Sequence, residues 1–363
     1  MRLSLAPVDG MGHRTELVGL SRIAGLIGVA LIVVASSTPR GQADEGLVAR
    51  LTHALAAGEA RDGRTSPYLL PVLEELAQAQ LQGGALGEAA ALRRRALDIA
   101  VAAFGCDSAS AAAAMAALAL VDIERRRYLD AEPLLIIAAS VLADRAAADH
   151  PPPATIFAGL ARIALARGDL KPAEAWARNA LAIARRNPHG RSAEPLRTLG
   201  AVLAAKERFA EAERVLAEAL AQDKKQHGAD GVDTARSLSQ LGNLYLRQGR
   251  AKDALPLLEE AVAIDQSGLG ATHPTIADDL HDLGLAYSAL NRGAKARAAF
   301  TAAIEILERG AGKETPRVAY AELELSRLYR QQGNHAAAEA AFRDARRILN
   351  KAEAEEHKRE RQV

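Results

Sequence analysis

The residues that could do chemistry fall almost entirely into arrangements that perform none. The run GAGKE (310–314) has Leu307 where a phosphate-cradling loop needs its first glycine and Glu314 where it needs Ser or Thr. Gly268 and Gly270 lead to His273 instead of a third glycine, so there is no dinucleotide fingerprint. Neither HExxH nor GxSxG occurs. The nine histidines are dispersed. His150, His189, His227 and His273 fall in joints between apolar segments, and His150 and His273 precede prolines there or nearby, which suits them to start the next helix. The single cysteine, Cys106, excludes an intrachain disulfide and any zinc site needing several thiolates. No nucleophile is paired with a base, so the chain reads as non-enzymatic, with no cofactor and no metal.

Composition narrows the alternatives. The chain has 363 residues, 49% of them apolar and only 3% aromatic, so its buried surface must come from small side chains packed closely over many short contacts. Such cores are usually helical. Lys plus Arg (46) and Asp plus Glu (45) balance to +1, which removes the attraction that nucleic-acid binding relies on, and few rings are present to stack on bases. Nucleic acid is therefore not expected as a partner.

The uncharged apolar run Ile23–Ala35 follows Arg2, Arg14 and Arg22 and precedes the small, polar stretch SSTPRGQADEG. That order reads as a secretory signal over residues 1–43, with cleavage after Ser37 or Ala43, and the run is shorter than the roughly 20 residues of a spanning helix. The expected location is periplasmic or secreted. The alternative is an uncleaved membrane anchor with everything after residue 44 on the exported side, the only route to a membrane that the sequence offers.

Downstream, a period of 42 organises the sequence. Leu241, Gly242, Tyr245, Arg250, Ala254, Ala261 and Ile264 recur unchanged 42 positions later. Ala77, Ala119, Ala161, Gly200, Gly242, Gly284 and Ser326 share one position, with one spacing of 39 among the 42s. Twelve residues on stand Ala89, Ala131, Ala173, Ala212, Ala254, Ala296 and Ala338; seven further stand Ala96, Ala138, Ala180, Ala219, Ala261, Ala303 and Ala345. Within each unit apolar residues recur at three and four, which predicts two amphipathic helices joined by a turn at Gly84, Gly168, Gly249, Asn291 or Gly333. Small residues would let the two helices approach, with Leu216, Leu258, Phe300 and Phe342 filling the space between units. A unit alone leaves an apolar face bare, and stacking covers it. The predicted organisation is a capping helix and linker over 44–69, seven repeats over 70–349, and a charged tail over 350–363.

The pattern L-G/A-x-x-Y, G, A, L/F, A resembles the tetratricopeptide repeat, and the period and joints such as GLGATHPTIA resemble the longer kinesin-light-chain variant. The resemblance is strongest from 196 to 349 and weakest in the first unit, where Arg93 stands at a usually apolar position. It implies an all-α solenoid, a superhelix whose first helices line a concave groove. In the inward register these helices would present Arg197; Arg236, Ser239, Gln240, Asn243 and Arg247; Asp278, His281 and Asp282; and Tyr320, Glu324 and Arg327. Amides such as Gln240 and Asn243 can both donate to and accept from a peptide backbone, and the arginines can pair with carboxylates. The same residues would also serve as the solvated face of amphipathic helices. No lysine takes an inward position of a carboxylate clamp, since Lys206, Lys252 and Lys295 lie elsewhere.

The expected function is an exported interaction scaffold holding a peptide or protein segment in this groove. The alternative is an accessory subunit that docks on a membrane complex through its apolar N-terminal repeats, prompted by the Ala-rich segment 109–121.

Overall fold

The computed structural model describes residues 40–145, 153–186 and 192–360. The apolar run 23–35, His150 and His189 lie outside them. A first helix, α1 (Arg40–Asp62), contains the expected capping segment and leads through a 3-10 turn at Pro67–Leu69 into seven helix pairs. These are α2 (Leu70–Gln82) with α3 (Leu86–Phe104), α4 (Ala109–Glu124) with α5 (Tyr128–Arg145), and α6 (Ala154–Ala166) with α7 (Leu170–Arg186). They continue as α8 (Ala193–Ala205) with α9 (Phe209–His227), α10 (Val232–Arg247) with α11 (Ala251–Leu269), α12 (Pro274–Ala289) with α13 (Gly293–Ala311), and α14 (Pro316–Gln331) with α15 (His335–Glu360). No strand occurs among the described residues. The architecture is an all-α solenoid, and the charged tail prolongs α15 as far as Glu360.

Each pair reverses on one residue of positive φ: Gly84, Arg126, Gly168, Glu207, Gly249, Asn291 and Gly333, at 58–81°. The residue after it donates its N–H to a carbonyl five residues back, as Ala85 does to Gln80 at 2.8 Å, which satisfies an orphan acceptor at the helix end. Arg126 and Glu207 hold this conformation although their Cβ atoms disfavour it, because the packing on either side fixes the turn.

All 21 small residues of the three shared positions are buried. Their role differs from expectation in one respect. A Cβ on Gly200, Gly242 or Gly284 would stand 2.5, 2.7 and 2.5 Å from Leu216, Leu258 and Phe300, so these large side chains fill the gap within a pair, against its own glycine. Phe342, at the same position of the seventh pair, is by contrast exposed. Arg93 is buried because it has acquired partners: its guanidinium pairs with Glu74 at 2.7 Å and donates to the Ala117 carbonyl at 2.7 Å, tying the first pair to the second.

A closed bore as the candidate binding site

The superhelix winds tightly enough for its sixth repeat to meet its first. The turn at Gly84 lies against the start of α12: a Cβ there would stand 2.5 Å from Pro274 Cδ and 3.1 Å from His273 Cδ2. Helix α1 packs on α11 nearby. His273 caps α12, its Nδ1 accepting the Thr275 N–H at 3.3 Å, and burial lowers its pKa against the opposing pull of the Leu81 carbonyl. Arg317 braces the seam from α14, bonding Asp278 at 2.6 Å and the Pro274 carbonyl at 3.2 Å. Gly249 has the same left-handed backbone as Gly84 but nothing within 4 Å of a Cβ. Both Gly→Ala changes therefore carry the same backbone strain, and Gly84→Ala is expected to cost about 1 kcal/mol more because it also overpacks the seam. Thermal unfolding of the two variants measures that difference, and small-angle scattering should show expansion for Gly84→Ala alone.

Closure turns the concave groove into a bore. A cavity of about 750 Å³ runs through it, lined from α4 by Glu124, from α6 by Arg162, and from α8, α10 and α12 by the inward faces of repeats four to six. Eight expected residues meet there: Arg197, Arg236, Ser239, Gln240, Asn243, Arg247, Asp278 and Asp282. Four do not line it. His281 stacks edge-on against Phe300 with centroids 5.6 Å apart, Tyr320 is exposed, and Glu324 and Arg327 pair with each other at 2.6 Å on α14.

Within the bore, side chains differ in what they have left to offer. Arg197 is spent: it is buried, its Nη1 bonds Asp223 Oδ2 at 2.5 Å, and Ser237 Oγ donates to the same oxygen at 2.6 Å. Arg162 and Glu124 pair at 2.9 Å. Burial alone would raise the Glu124 pKa, but Arg162 more than offsets it and the carboxyl is held low. Asn243 Nδ2 donates to Asp282 at 3.0 Å, fastening α10 to α12. Arg236 makes a 3.5 Å contact with Asp233, and the Arg247 side chain lines the cavity with no ion pair or hydrogen bond to another described residue. Gln240 Oε1 accepts nothing.

One repeat on from the Arg197–Asp223–Ser237 network the same three positions, 42 residues later, carry Ser239, Asp265 and Asp279. The cation is gone and a second carboxyl has replaced a hydroxyl. Both acids are buried, at 1% and 6% exposure. Ser239 Oγ donates to Asp279 Oδ1 at 2.5 Å, and the Asp265 and Asp279 carboxyls hydrogen-bond each other, with no arginine or lysine bonded to either among the described residues. Burial, then the neighbouring carboxylates Asp265 and Asp282, push Asp279 up to about 8 despite the Ser239 bond.

Sequence reasoning missed Glu124, Arg162, Asp233 and Asp279 as lining residues. Glu124 and Arg162 come from repeats whose inward faces are otherwise apolar, and only closure brings them opposite α12. For Asp279 a signal existed, namely an Asp one repeat after Ser237.

The family model for the tetratricopeptide repeat matches residues 191–267, 254–309 and 280–351. No curated protein matches the sequence. Among solved structures, a Rap protein complexed with Competence and Sporulation Factor is similar at a TM-score of 0.58 and 13% identity, covering 86% of this chain and 99% of that one. A putative kinesin light chain of Podosopora anserina with TPR-like repeats is 23% identical over 55% of this chain and 97% of its own, at a TM-score of 0.41. BtubC from P. vanneervenii is 19% identical over 67% and 92%, at 0.47. At these identities the likeness shows the fold alone. The left-handed turns and the small-residue seams run through all seven helix pairs, and the segment 191–351 belongs to the tetratricopeptide repeat family, a fold that generally serves as a non-enzymatic scaffold for protein or peptide partners.

Proposed function

We propose that this chain is an exported, non-enzymatic scaffold that holds an extended peptide segment of a partner protein inside the bore of repeats four to six. The observation that carries this reading is the cavity of about 750 Å³ whose wall holds peptide-binding groups: the unpartnered Gln240 acceptor, the Arg247 guanidinium, and that of Arg236, whose one contact to a described residue, Asp233, is long at 3.5 Å. An amide among cations suits a backbone with an acidic side chain or C-terminus. The solved Rap protein of this fold is itself complexed with Competence and Sporulation Factor. Export rests on the arginine-flanked apolar run at 23–35.

A photoreactive residue at position 243, used in the native cell, tests the reading. It should capture a defined peptide, a probe at 327 should not, and Arg236→Glu should reduce capture at 243 at least tenfold. Equal capture at both positions would argue against the bore.

A second reading, docking on a membrane complex through the N-terminal repeats, needs a different surface from the expected one. Most of segment 109–121 is packed into the repeat core. Instead Leu129, Ile136 and Ile137 are about half exposed along one face of α5. Deleting residues 44–190 does not discriminate the two, because it removes Glu124, Arg162 and the closing turn as well. Ile136→Asp does: it should abolish docking and leave capture at 243 intact.

A further inference from the structure

The seam that closes the bore is centred on one titratable ring. His273 holds the N-cap of α12, and its Cδ2 and Nε2 lie 3.1 and 3.2 Å from where a Cβ on Gly84 would stand, so this edge of the imidazole faces the turn of repeat one. Nδ1 accepts the Thr275 N–H at 3.3 Å, so the proton of the neutral ring sits on Nε2, directed at the Leu81 carbonyl across the seam. A second proton has to enter at Nδ1, where it displaces the Thr275 N–H and sets a positive charge against the N-terminal end of α12. A cavity of about 210 Å³ beside the ring has three arginines and two carboxylates in its wall, and both carboxylates are taken. Glu124 of α4 pairs with Arg162 of α6, and Asp278 of α12 pairs with Arg317 of α14. Arg126 adds a third cation from the turn of the second pair, and Tyr128 of α5 is neutral there. Repeat one brings only Gly84 and Leu86 to this cavity, the joint 270–272 leading in from α11 is uncharged, and α13 approaches Pro274 through Gly310. Arg236 of α10 repels a charge on the ring as well. While the seam is shut, an imidazolium at 273 has no carboxylate left to pair with among these groups.

We propose that protonation of His273 parts repeat six from repeat one, so that the seam is a gate through which the bore admits or releases its peptide as pH falls below neutral. Parting gives the cation water and lets water take over the Thr275 N–H. It breaks the contacts of the Gly84 turn and of α1 with α11, whereas the packing of α12 on α11 and α13 persists, so the seam yields before the repeats do. Burial already holds the ring below its ordinary 6.5 in the closed chain, with the Leu81 carbonyl pulling the other way. From that lowered value up to 6.5 the open chain binds more protons than the closed one. Acid therefore favours opening in this window, by at most about tenfold in the open-to-closed ratio per pH unit. Asp279 titrates elsewhere, since it is held at about 8 and is mostly protonated at pH 7 and below. The gate itself rests on the closed superhelix, and its use in admitting peptide rests on the peptide-binding reading.

The test places nitroxide labels at Gln82→Cys and Thr272→Cys, exposed positions on either side of the seam, in the full chain with the exposed Cys106 replaced by Cys106→Ser. Double electron–electron resonance should give a short distance at pH 7. At pH 5 a longer component should appear while the helical circular dichroism stays unchanged. His273→Asn isolates the cause: Asn also caps a helix but takes up no proton, so its distances should be the same at pH 7 and pH 5. Should that variant already rest open at pH 7, the ring signals of His273 in the unsubstituted chain decide by NMR, because their titration midpoint should lie below 6.5 and coincide with that of the opening. Distances that do not respond to pH, an equal response in His273→Asn, or an opening midpoint apart from that of the ring would overturn the gate. The two readings can fail separately. Peptide capture at position 243 with a seam that stays shut at pH 5 removes the gate and keeps the bore, whereas a seam that opens in acid without any captured peptide does the reverse.

Discussion

Arg197→Ala is expected to destabilise the protein by about 3–5 kcal/mol, because it strips the cation from a carboxylate that stays buried. Asp223 is 1% exposed, and its remaining partner is the Ser237 hydroxyl, which cannot neutralise it. Water cannot substitute unless the joint between repeats four and five opens. In urea unfolding followed by circular dichroism, the variant should show a lower midpoint. The double variant Arg197→Met with Asp223→Leu should recover most of the loss, since replacing both ions with apolar groups of similar size is often neutral. A loss for Arg197→Ala below 1 kcal/mol would mean that this pair does not hold the joint. The result also bears on function. A groove arginine poised for a ligand carboxylate would be removable at little cost to stability, and Arg197 does not occupy such a position.

The second large effect is on pH. Asp279 is held at about 8 in the folded chain, while its ordinary value is 3.8. The folded state therefore binds more protons than the unfolded state between these limits, so this contribution is fully present below about pH 4 and is lost as pH rises through about 8. Each pH unit in that interval removes at most about 1.4 kcal/mol, which between pH 5 and pH 8 amounts to no more than about 4 kcal/mol. Two other groups act differently. Glu174, on α7, is held at about 2, chiefly by the Lys206 hydrogen bond with Arg178 and Arg208 adding to it, so its contribution is present above pH 4.5 and lost only as pH falls towards 2. His273 is buried and lowered, so its contribution grows with pH up to about its ordinary 6.5, opposing Asp279 in part of the window. The informative quantity is thus the difference between wild type and Asp279→Asn. Chemical denaturation at pH 5, 6.5 and 8 should show Asp279→Asn gaining on wild type at every step. Parallel pH profiles for the two proteins would contradict it.

Much of the fold was legible because repeat packing is local. A helix pair must place small residues where its two helices touch, and every copy solves the problem at the same three positions, so a periodicity of Ala and Gly is enough to identify the pairs. The reversing turns were legible only where the residue type announces them. Gly84 and Asn291 suggest a left-handed backbone, but Arg126 and Glu207, which adopt it equally, do not. The groove was legible as a face and not as a site. His281 has the right register and is diverted to Phe300, and Arg197 has the right register and is consumed by an aspartate on the next helix.

The sequence by itself determined the repeat, its register, the number of helix pairs and the side chains offered to the inner face, since each depends on residues within one unit or its immediate neighbour. The tertiary structure alone decided that repeat six returns to repeat one, that Glu124 and Arg162 share a wall with Asp278, and that two aspartates are left without a cation. Closure depends on small rotations accumulated over five repeats, which no single unit encodes. The leftover charge depends on which side chain reaches another across a joint, and that distance exists only once the units are stacked.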